Sequence, residues 1–573
     1  MKTILMNPIN FITRNVWVYS LIIITSIILA LAIIIPASAF AQGNPVSVAV
    51  NNQINPTMTS DGNMGTISTW QSKQNGKYEI YAQRMNRTGT AMWTTNGIAI
   101  CTQDSNYNPI IVSDGSGGAI IAWQSYRGSA TADIYVQRVN ASGVIQWANN
   151  GAPLCAVVFD QNTIAMVNDG SGGAILTWQD YRSNNGFADV YAQRVNSGGT
   201  MLWTANGVSI CNQAAEQNGP KILSDGSGGA FVTWADNRAG NFDIYTQRVG
   251  SGGAAAWTTN GVATCTMATD QKDPDICTDG LAGIIVTWTD FRSTTDYNIY
   301  AQRVGPAGAI VWVVDGVVMN NNVAYDQIDP MIVSDGLNGA IISWTDKRTG
   351  ITSDIYTQRV NTVGAVQWTA TGVIICTASG DQIKSQLVSD GHNGAYITWE
   401  DHRNANNADI YVQRIASDAT LNWAATGYAV CTFANDQLSP MVVSNGAAGA
   451  LVVWQDFRSG NNFDIYVTGF DTAGVVGIGT NGTGILNDYY LSQNHPNPFN
   501  PSTVIYYTIP QAGNVTMKIY DATGRNVSTL VNEIKSAGDY QITWNATGFS
   551  SGVYFYRLES GEFTSSKTMF LVR

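Results

Sequence analysis

The chain has 573 residues, of which only 12% are charged. Acidic residues outnumber basic ones, 41 against 29, and no cluster of Lys and Arg stands out. That excludes nucleic acid as a partner, because phosphate binding needs a basic footprint. Gly is frequent at 57 residues, beside 17 Trp and 25 Tyr, which fits many short strands joined by tight turns.

Residues 1–41 read as a signal peptide. Lys2 and Arg14 make a positive start, and Val16 to Ile35 is an uncharged apolar run. Pro36 precedes Ala39-Phe40-Ala41, an A-x-A pattern, so cleavage is expected between Ala41 and Gln42. The run is long enough to span a bilayer, which leaves an uncleaved anchor as the alternative.

Self-similarity dominates the segment assigned as the second domain, residues 42–486. Its anchor is a Trp, at Trp70, Trp123, Trp178, Trp234, Trp288, Trp344, Trp399 and Trp454. Around each Trp the same phrases recur. In the fourth repeat they are Ser224-Asp225-Gly226, then Ala230 to Trp234, Asp236 and Arg238, then Asp243 to Val249, and last Trp257 to Cys265. In the sixth repeat, strand a is Ile332 to Ser334, b is Ala340 to Trp344, c is Asp354 to Val360, and d is Val366 to Cys376, bent at Gly372. The Ser-Asp-Gly phrase between a and b is a hairpin signal. Four strands per unit, eight times over, predict an all-β chain with an eight-bladed β-propeller. An open β-solenoid is the alternative.

The two ends of the repeat predict ring closure. Val46 to Val50 matches Ile98 to Thr102, a spare strand d at the N-terminus. The eighth repeat is weak in that same strand, with Ile478 in place of the Trp and Gly477, Gly479, Gly482 and Gly484 around it. The spare strand would complete the eighth blade and remove an exposed sheet edge.

Residues 487–573 form the third domain. Val515 to Tyr520 alternates as a half-buried strand, and Ala522-Thr523-Gly524 is its turn, so the segment reads as a small β-sandwich. Tyr490 to Pro501, with Pro496, Asn497, Pro498, Phe499, Asn500 and Pro501 at its centre, resembles the opening of the type A sorting domain of the type IX (Por) secretion system. The resemblance continues through Gly524-Arg525, Gly552 and Tyr554, and Lys567 to Arg573. It implies an immunoglobulin-like sandwich, passage through the periplasm and across the outer membrane, and the secretion machinery as a partner. The protein is then extracellular or on the outer-membrane surface.

A catalytic site needs residues that are not repeated. The three His are His392, His402 and His495, and Glu is scarce in the repeats, with Glu79, Glu216 and Glu400. His392 and His402 have no metal-ligand spacing, and glycosidases need two deliberately placed carboxylates. The expectation is therefore a non-catalytic, monomeric binding or adhesion module for a glycan or protein. A secreted hydrolase or lyase acting on polysaccharide, testable first at Glu400, His392 and His402, and a structural envelope component are the alternatives. Lys221, Phe242, Asp275, Tyr297 and Gln386 break the repeat near the b–c and d–a loops and are the candidate ligand-binding residues.

The Trp-x-Asp-x-Arg phrase of repeats 3 to 8, as at Trp178, Asp180 and Arg182, predicts an Asp–Arg pair that pins the b–c loop, joined by a strand-c Arg such as Arg194. A second acidic set, Asp160, Glu216, Asp270, Asp326, Asp381 and Asp436, falls on the same face. No cofactor is expected beyond calcium, which clustered carboxylates can bind. Six of the seven Cys occupy one repeat position, too far apart for bridges between blades, and Cys277 reads as a core residue. Buried thiols are expected, with Cys265–Cys277 the one conceivable disulfide.

Overall fold

The computed structural model describes residues 43–476 apart from 88, 129, 321–323, 405, 447–448 and 472–473, and residues 489–572 apart from 492–493, 495–496, 498, 510 and 537. The expected signal peptide with Ala41 and Gln42, the weakened segment from Gly477 to Gly484, and His495, Pro496 and Pro498 lie outside them. Among the described residues every regular element is a strand.

Blade 4 shows how one repeat folds. Gln217–Ser224, Ala230–Asp236, Asp243–Val249 and Val262–Cys265 pair in that order as an antiparallel sheet. We call them strands a to d. Strand b is buried throughout, and Trp234 faces Tyr245 on strand c, their rings stacked 6.3 Å apart. The a–b hairpin is closed by Asp225, whose Oδ1 accepts the amides of Ser227 and Gly229. This local capture of turn amides is what Asp does best in a tight turn.

Three strands differ from their sequence reading, strand b of blade 6 only by running on to Asp346. In blade 6 strand a is eight residues long, Gln327–Ser334, because it continues across a bulge between Ile328 and Met331. Strand d shrinks to Val373–Cys376. Val366 makes only an isolated bridge to Val360, and a turn, Gly372 N donating to Thr369 O at 2.9 Å, separates it from the strand.

Eight such sheets form the ring. Each strand a packs on the strand a of the next blade, and the first, Gln53–Ser60, packs on the last, Gln437–Ser444. The apolar core is accordingly divided into layers between neighbouring blades. Phe231, Ile244 and Cys265 of blade 4, for instance, meet Ile276, Val286 and Trp288 of blade 5.

The closing strand is Asn44–Ser47, which pairs with strand c of blade 8 through Asn44–Val467, Pro45–Tyr466 and Ser47–Ile465. Val46 packs with Ile465 and Val467 against Met58 and Trp70 of blade 1. Gly474–Val476 pairs with the other end of that strand c, at Gly469 to Asp471. The fourth strand of blade 8 is thus assembled from both ends of the ring.

The remaining strands make two sheets. One is Tyr490–Leu491, Ser502–Ile509 and Gly538–Asn545; the other is Asn526–Lys535, Gly513–Asp521, Gly552–Ser560 and Phe563–Leu571. Ile505, Tyr507, Val515, Met517, Trp544 and Tyr556 are buried between them, an immunoglobulin-like sandwich.

Candidate functional site

The inner strands line a central channel. All eight carry a bulge, and at each bulge one residue turns to positive φ: Asn55, Asn108, Thr163, Gly219, Asp273, Asp329, Lys384 and Ser439. The register pairs the head of each inner strand with the tail of strand b, as in Gln271–Asp290, so the bulges lie toward the b–c loops. The same eight positions carry Asn, Thr, Gly, Asp, Lys and Ser, whereas the Gln or Asn that heads each inner strand hardly varies.

A cavity of about 530 Å³ lies among these strands, lined among others by Lys221, Asp273, Asp329, Met331, Lys384 and Gln386. Burial raises the carboxyl of Asp273 above its ordinary range and neighbouring Asp329 raises it further, against Lys272 and Lys221. Burial also raises Asp329, which Lys347 opposes. The side chains of Lys221, Asp273 and Asp329 make no hydrogen bond or ion pair among the described residues. Lys384 instead meets Glu400, with Nζ to Oε1 at 3.1 Å.

Glu400 is 1% exposed, and the same Oε1 accepts the amide of Ser439, the bulge residue of the next blade, at 2.7 Å. Gln71 and Gln455 do likewise for the amides of Asn108 and Asn55. Glu400 therefore makes a contact between blades that Gln71 and Gln455 also make, in the version that also anchors a lysine. His392 sits in an a–b turn, its amide on Asp390 Oδ1, and His402 sits in the b–c loop at the other end of the same strand b, Ala395–Asp401. Glu400, His392 and His402 do not converge on one site.

The five candidate ligand-binding residues separate into two groups. Lys221 and Gln386 line the channel cavity. Asp275 lies on the same inner strand as Asp273 but is committed to the next blade, its Oδ2 accepting the amide of Ile332 at 3.1 Å. Its carboxyl is raised by burial, with Lys221 and that amide opposing. Phe242 and Tyr297 belong to b–c loops. Phe242 packs against the blade 4–5 core with Lys272 Nζ 5.2 Å from its ring centroid, and Tyr297 packs on Phe291 at 4.7 Å. Asp273, Asp329 and Lys384 escaped the sequence reading. Their signal was the variable residue three positions after the b–c-end acid, followed by Pro in Asp273-Pro274 and Asp329-Pro330.

The periodic carboxylates are occupied by the framework. In blade 4 Asp236 receives Trp234 Nε1 at 2.8 Å and Arg238 Nη2 at 2.6 Å, and Arg238 lies 3.7 Å over Tyr245. The strand-c Arg takes no part in this cluster. Arg194 pairs with Asp169 of the a–b turn at 2.9 Å, at the opposite end of blade 3, because strand c runs antiparallel to b and its Arg ends beside Ile175. The second acidic set accepts amides of the b–c loops: Asp160 from Ala132, Glu216 from Ala188, Asp270 from Phe242 and Asp381 from Ser353. Among the described residues no three of His, Cys, Asp and Glu group as metal ligands. All seven Cys are free and buried, Cys265 and Cys277 included, and burial pushes the thiols of Cys155 and Cys211 up to about 12.

In the terminal sandwich Asn497 clasps the last strand, receiving the amide of Phe570 on Oδ1 at 2.8 Å. Phe499 is buried against Trp544, and the carbonyl of Pro501 accepts the amide of Ala546. Asn500 is exposed beside it. Gly524 and Arg525 close a turn on Asp521, with Arg525 Nε 3.0 Å from its Oδ2. Gly552 opens the strand on which Tyr554 is buried, its hydroxyl donating to Ser550 O, and Lys567 lies opposite Tyr556 in register.

Residues 494–572 match the family of the secretion system C-terminal sorting domain. No curated protein matches the chain. Among solved structures, a protein of unknown function from Dyadobacter fermentans is 11% identical over 53% of this chain and 94% of that one, with a TM-score of 0.32. An α-L-arabinanase of Penicillium chrysogenum complexed with arabinobiose is 11% identical over 76% and 98%, with a TM-score of 0.30. An α-L-arabinofuranosidase of Fusarium graminearum is 11% identical over 56% and 96%, with a TM-score of 0.31. At those scores the likenesses say nothing of this chain's chemistry. The sorting match does speak to destination: behind its propeller the chain carries a type IX secretion sorting domain, and it is a protein exported to the cell surface or the extracellular space.

Proposed function

We propose that the propeller is a binding module displayed outside the cell, and that it takes a glycan at the mouth of its central channel. One observation carries this reading. The eightfold repeat is broken where the inner strands face the channel, and the breaks gather on consecutive blades. Of the six lysines between residues 43 and 476, four belong to blades 4 to 7: Lys221, Lys272, Lys347 and Lys384. Beside them stand Asp273 and Asp329, and Lys221, Asp273 and Asp329 have no polar partner among the described residues. Two carboxylates and one ammonium group without a hydrogen bond or ion pair, rimmed by Met331 and proline rings, can accept from and donate to hydroxyls while an apolar edge packs on the sugar ring.

The test is retention of the mature chain in native gels containing amylose, xylan, pectin, chitosan or alginate. At least one polymer should retard it, and Asp273→Asn and Lys221→Ala should each weaken that binding about tenfold without changing the melting temperature. Migration unaffected by every polymer overturns the reading. A hydrolase is the second reading, favoured by two channel carboxyls in adjacent blades, Asp273 and Asp329, both raised above their ordinary range. Sugar release from the bound polymer, abolished by Asp273→Asn, would select it.

A further inference from the structure

We propose that a groove between blades 5 and 6 is a second sugar subsite, continuous with the channel mouth, so that the ligand is a chain of several sugar units. The inference rests on the glycan reading above. It starts from a backbone anomaly. Two residues before the Gln or Asn that heads an inner strand, the chain turns to positive φ in six of the eight blades, among them at Asn51 (76°), Asp104 (55°), Gly380 (80°) and Asn435 (66°). Gly, Asn and Asp enter this region at little strain, whereas a bulky side chain there is a true outlier. Before blades 3 and 6 the residue is aromatic instead, Phe159 at φ 68° and Tyr325 at φ 65°; Tyr325 is the more exposed of the two, and it borders a cavity.

Burial does not offset that strain, since Tyr325 is 52% exposed. Its ring lies over Gly350, where a Cβ would stand 3.0 Å from Cζ. Beside it is a cavity of about 470 Å³, walled by Asp296, Lys347, Ile351 and Asp381. Ile351 is 91% exposed at a loop tip, with no packing role to explain it. Asp326 and Asp381 each use one carboxylate oxygen on a loop amide, Tyr297 N at 3.1 Å and Ser353 N at 2.8 Å, and the other oxygen has no hydrogen bond among the described residues. An aromatic ring and an aliphatic side chain among carboxylates and an ammonium group make a bed for a sugar ring with its hydroxyls.

Lys347 joins the two places. It lines the groove, and its charge is felt by Asp329 at the channel. Asp326 at the groove and Asp329 at the channel cavity lie three residues apart at the head of one inner strand, as do Asp381 and Lys384 at the next, so a polymer leading from the channel to Tyr325 would follow those two strand heads. Strain kept at an exposed aromatic is the pattern of a residue retained for contact with a ligand.

The experiment uses the mature chain and the polymer that retards it, offered as its di- and hexasaccharide in calorimetry. The hexasaccharide should bind at least about tenfold tighter than the disaccharide. Tyr325→Asn should remove that difference and leave disaccharide affinity within about twofold, with a melting temperature equal to or above the parent's, since Asn suits the left-handed backbone. Equal binding of the two lengths overturns the second subsite. So does a Tyr325→Asn chain that melts lower, because the ring would then be a packing residue, and so does equal weakening toward both lengths. If no polymer is bound at all, the glycan reading itself fails, a result separate from these.

Discussion

At the residue scale, the Asp of the Trp-x-Asp-x-Arg phrase does several jobs at once. Asp236 is wholly buried, and it answers the Trp234 indole, the Arg238 guanidinium and the amide of Arg238. Arg238 Nη2 also donates to Asn260 O at 2.9 Å, bracing the turn before strand d. Blades 1 and 2 show what happens without this Asp. With Ser72 there, Trp70 Nε1 is buried without a hydrogen-bond partner among the described residues, and with Ser125 there, Trp123 borrows Asn106 Oδ1 at 3.0 Å. Removing one partner of a buried pair strands the other charge, so Asp236→Ala should lower unfolding free energy by about 3–5 kcal/mol. Urea denaturation checks this, and a loss below about 1 kcal/mol, the size of a surface pair, would refute it. That an Asp–Arg pair pins the b–c loop was readable from the phrase. Which Arg it takes was not, because strand direction decides which end of a blade a strand-c residue reaches.

At the scale of the element, closure depends on one glycine. In blades 1 to 7 a Gly before strand d lies against the repeat Trp, as Gly97 does on Trp70, where a Cβ would fall 2.6 Å from the ring. Gly43 does the same on Trp454, at 2.3 Å and φ 64°. The start of the described chain thus supplies the missing glycine of blade 8 as well as its strand. Gly43→Ala should therefore cost about 2 kcal/mol, from strain plus clash. Gly76→Ala is the control, since Gly76 has φ 83° and nothing within 4 Å of its Cβ position; it should cost about 1 kcal/mol. Equal losses in urea melts would show that the Trp454 contact is immaterial. The spare strand was visible in the sequence because Val46 to Val50 aligns with a known strand d. Its partner was visible only as a weakness in repeat eight.

At the scale of the whole molecule, small effects repeat around the ring. Asp189, Asp243, Asp354, Asp409 and Asp464, each at the head of a strand c, have carboxyls raised to about 6. Burial is the main cause, and in each case the nearby Trp-x-Asp carboxylate adds to it. An unfolded Asp titrates near 4. Between those values the folded ring binds protons that the unfolded chain releases, so its stability rises as pH falls from about 7 toward 4. The urea midpoint should be higher at pH 5 than at pH 7.5, and Asp409→Asn should flatten the slope. A midpoint that falls steadily over that interval would contradict it. Below about 4 the trend should reverse, because Asp225, held low by Arg248 and turn amides, becomes protonated.

The sequence by itself determined the ring, its eight blades, its terminal sandwich and a destination at the cell surface or beyond it. Those features rest on periodic patterns and on motifs read along the chain, and Trp, Gly and Asp recur wherever the same local packing problem recurs. It also marked Lys221 and Gln386 as departures from the repeat. Only the tertiary structure decided that Asp273, Asp329 and Lys384 face one channel with them, and that Asp275, Phe242 and Tyr297 serve elsewhere. A bulge shifts which side chains look inward, and the pattern along one strand does not announce a bulge. The closing strand stands between these cases: composition suggested it, and contact with Val467 and Trp454 across more than 400 residues made it part of the fold.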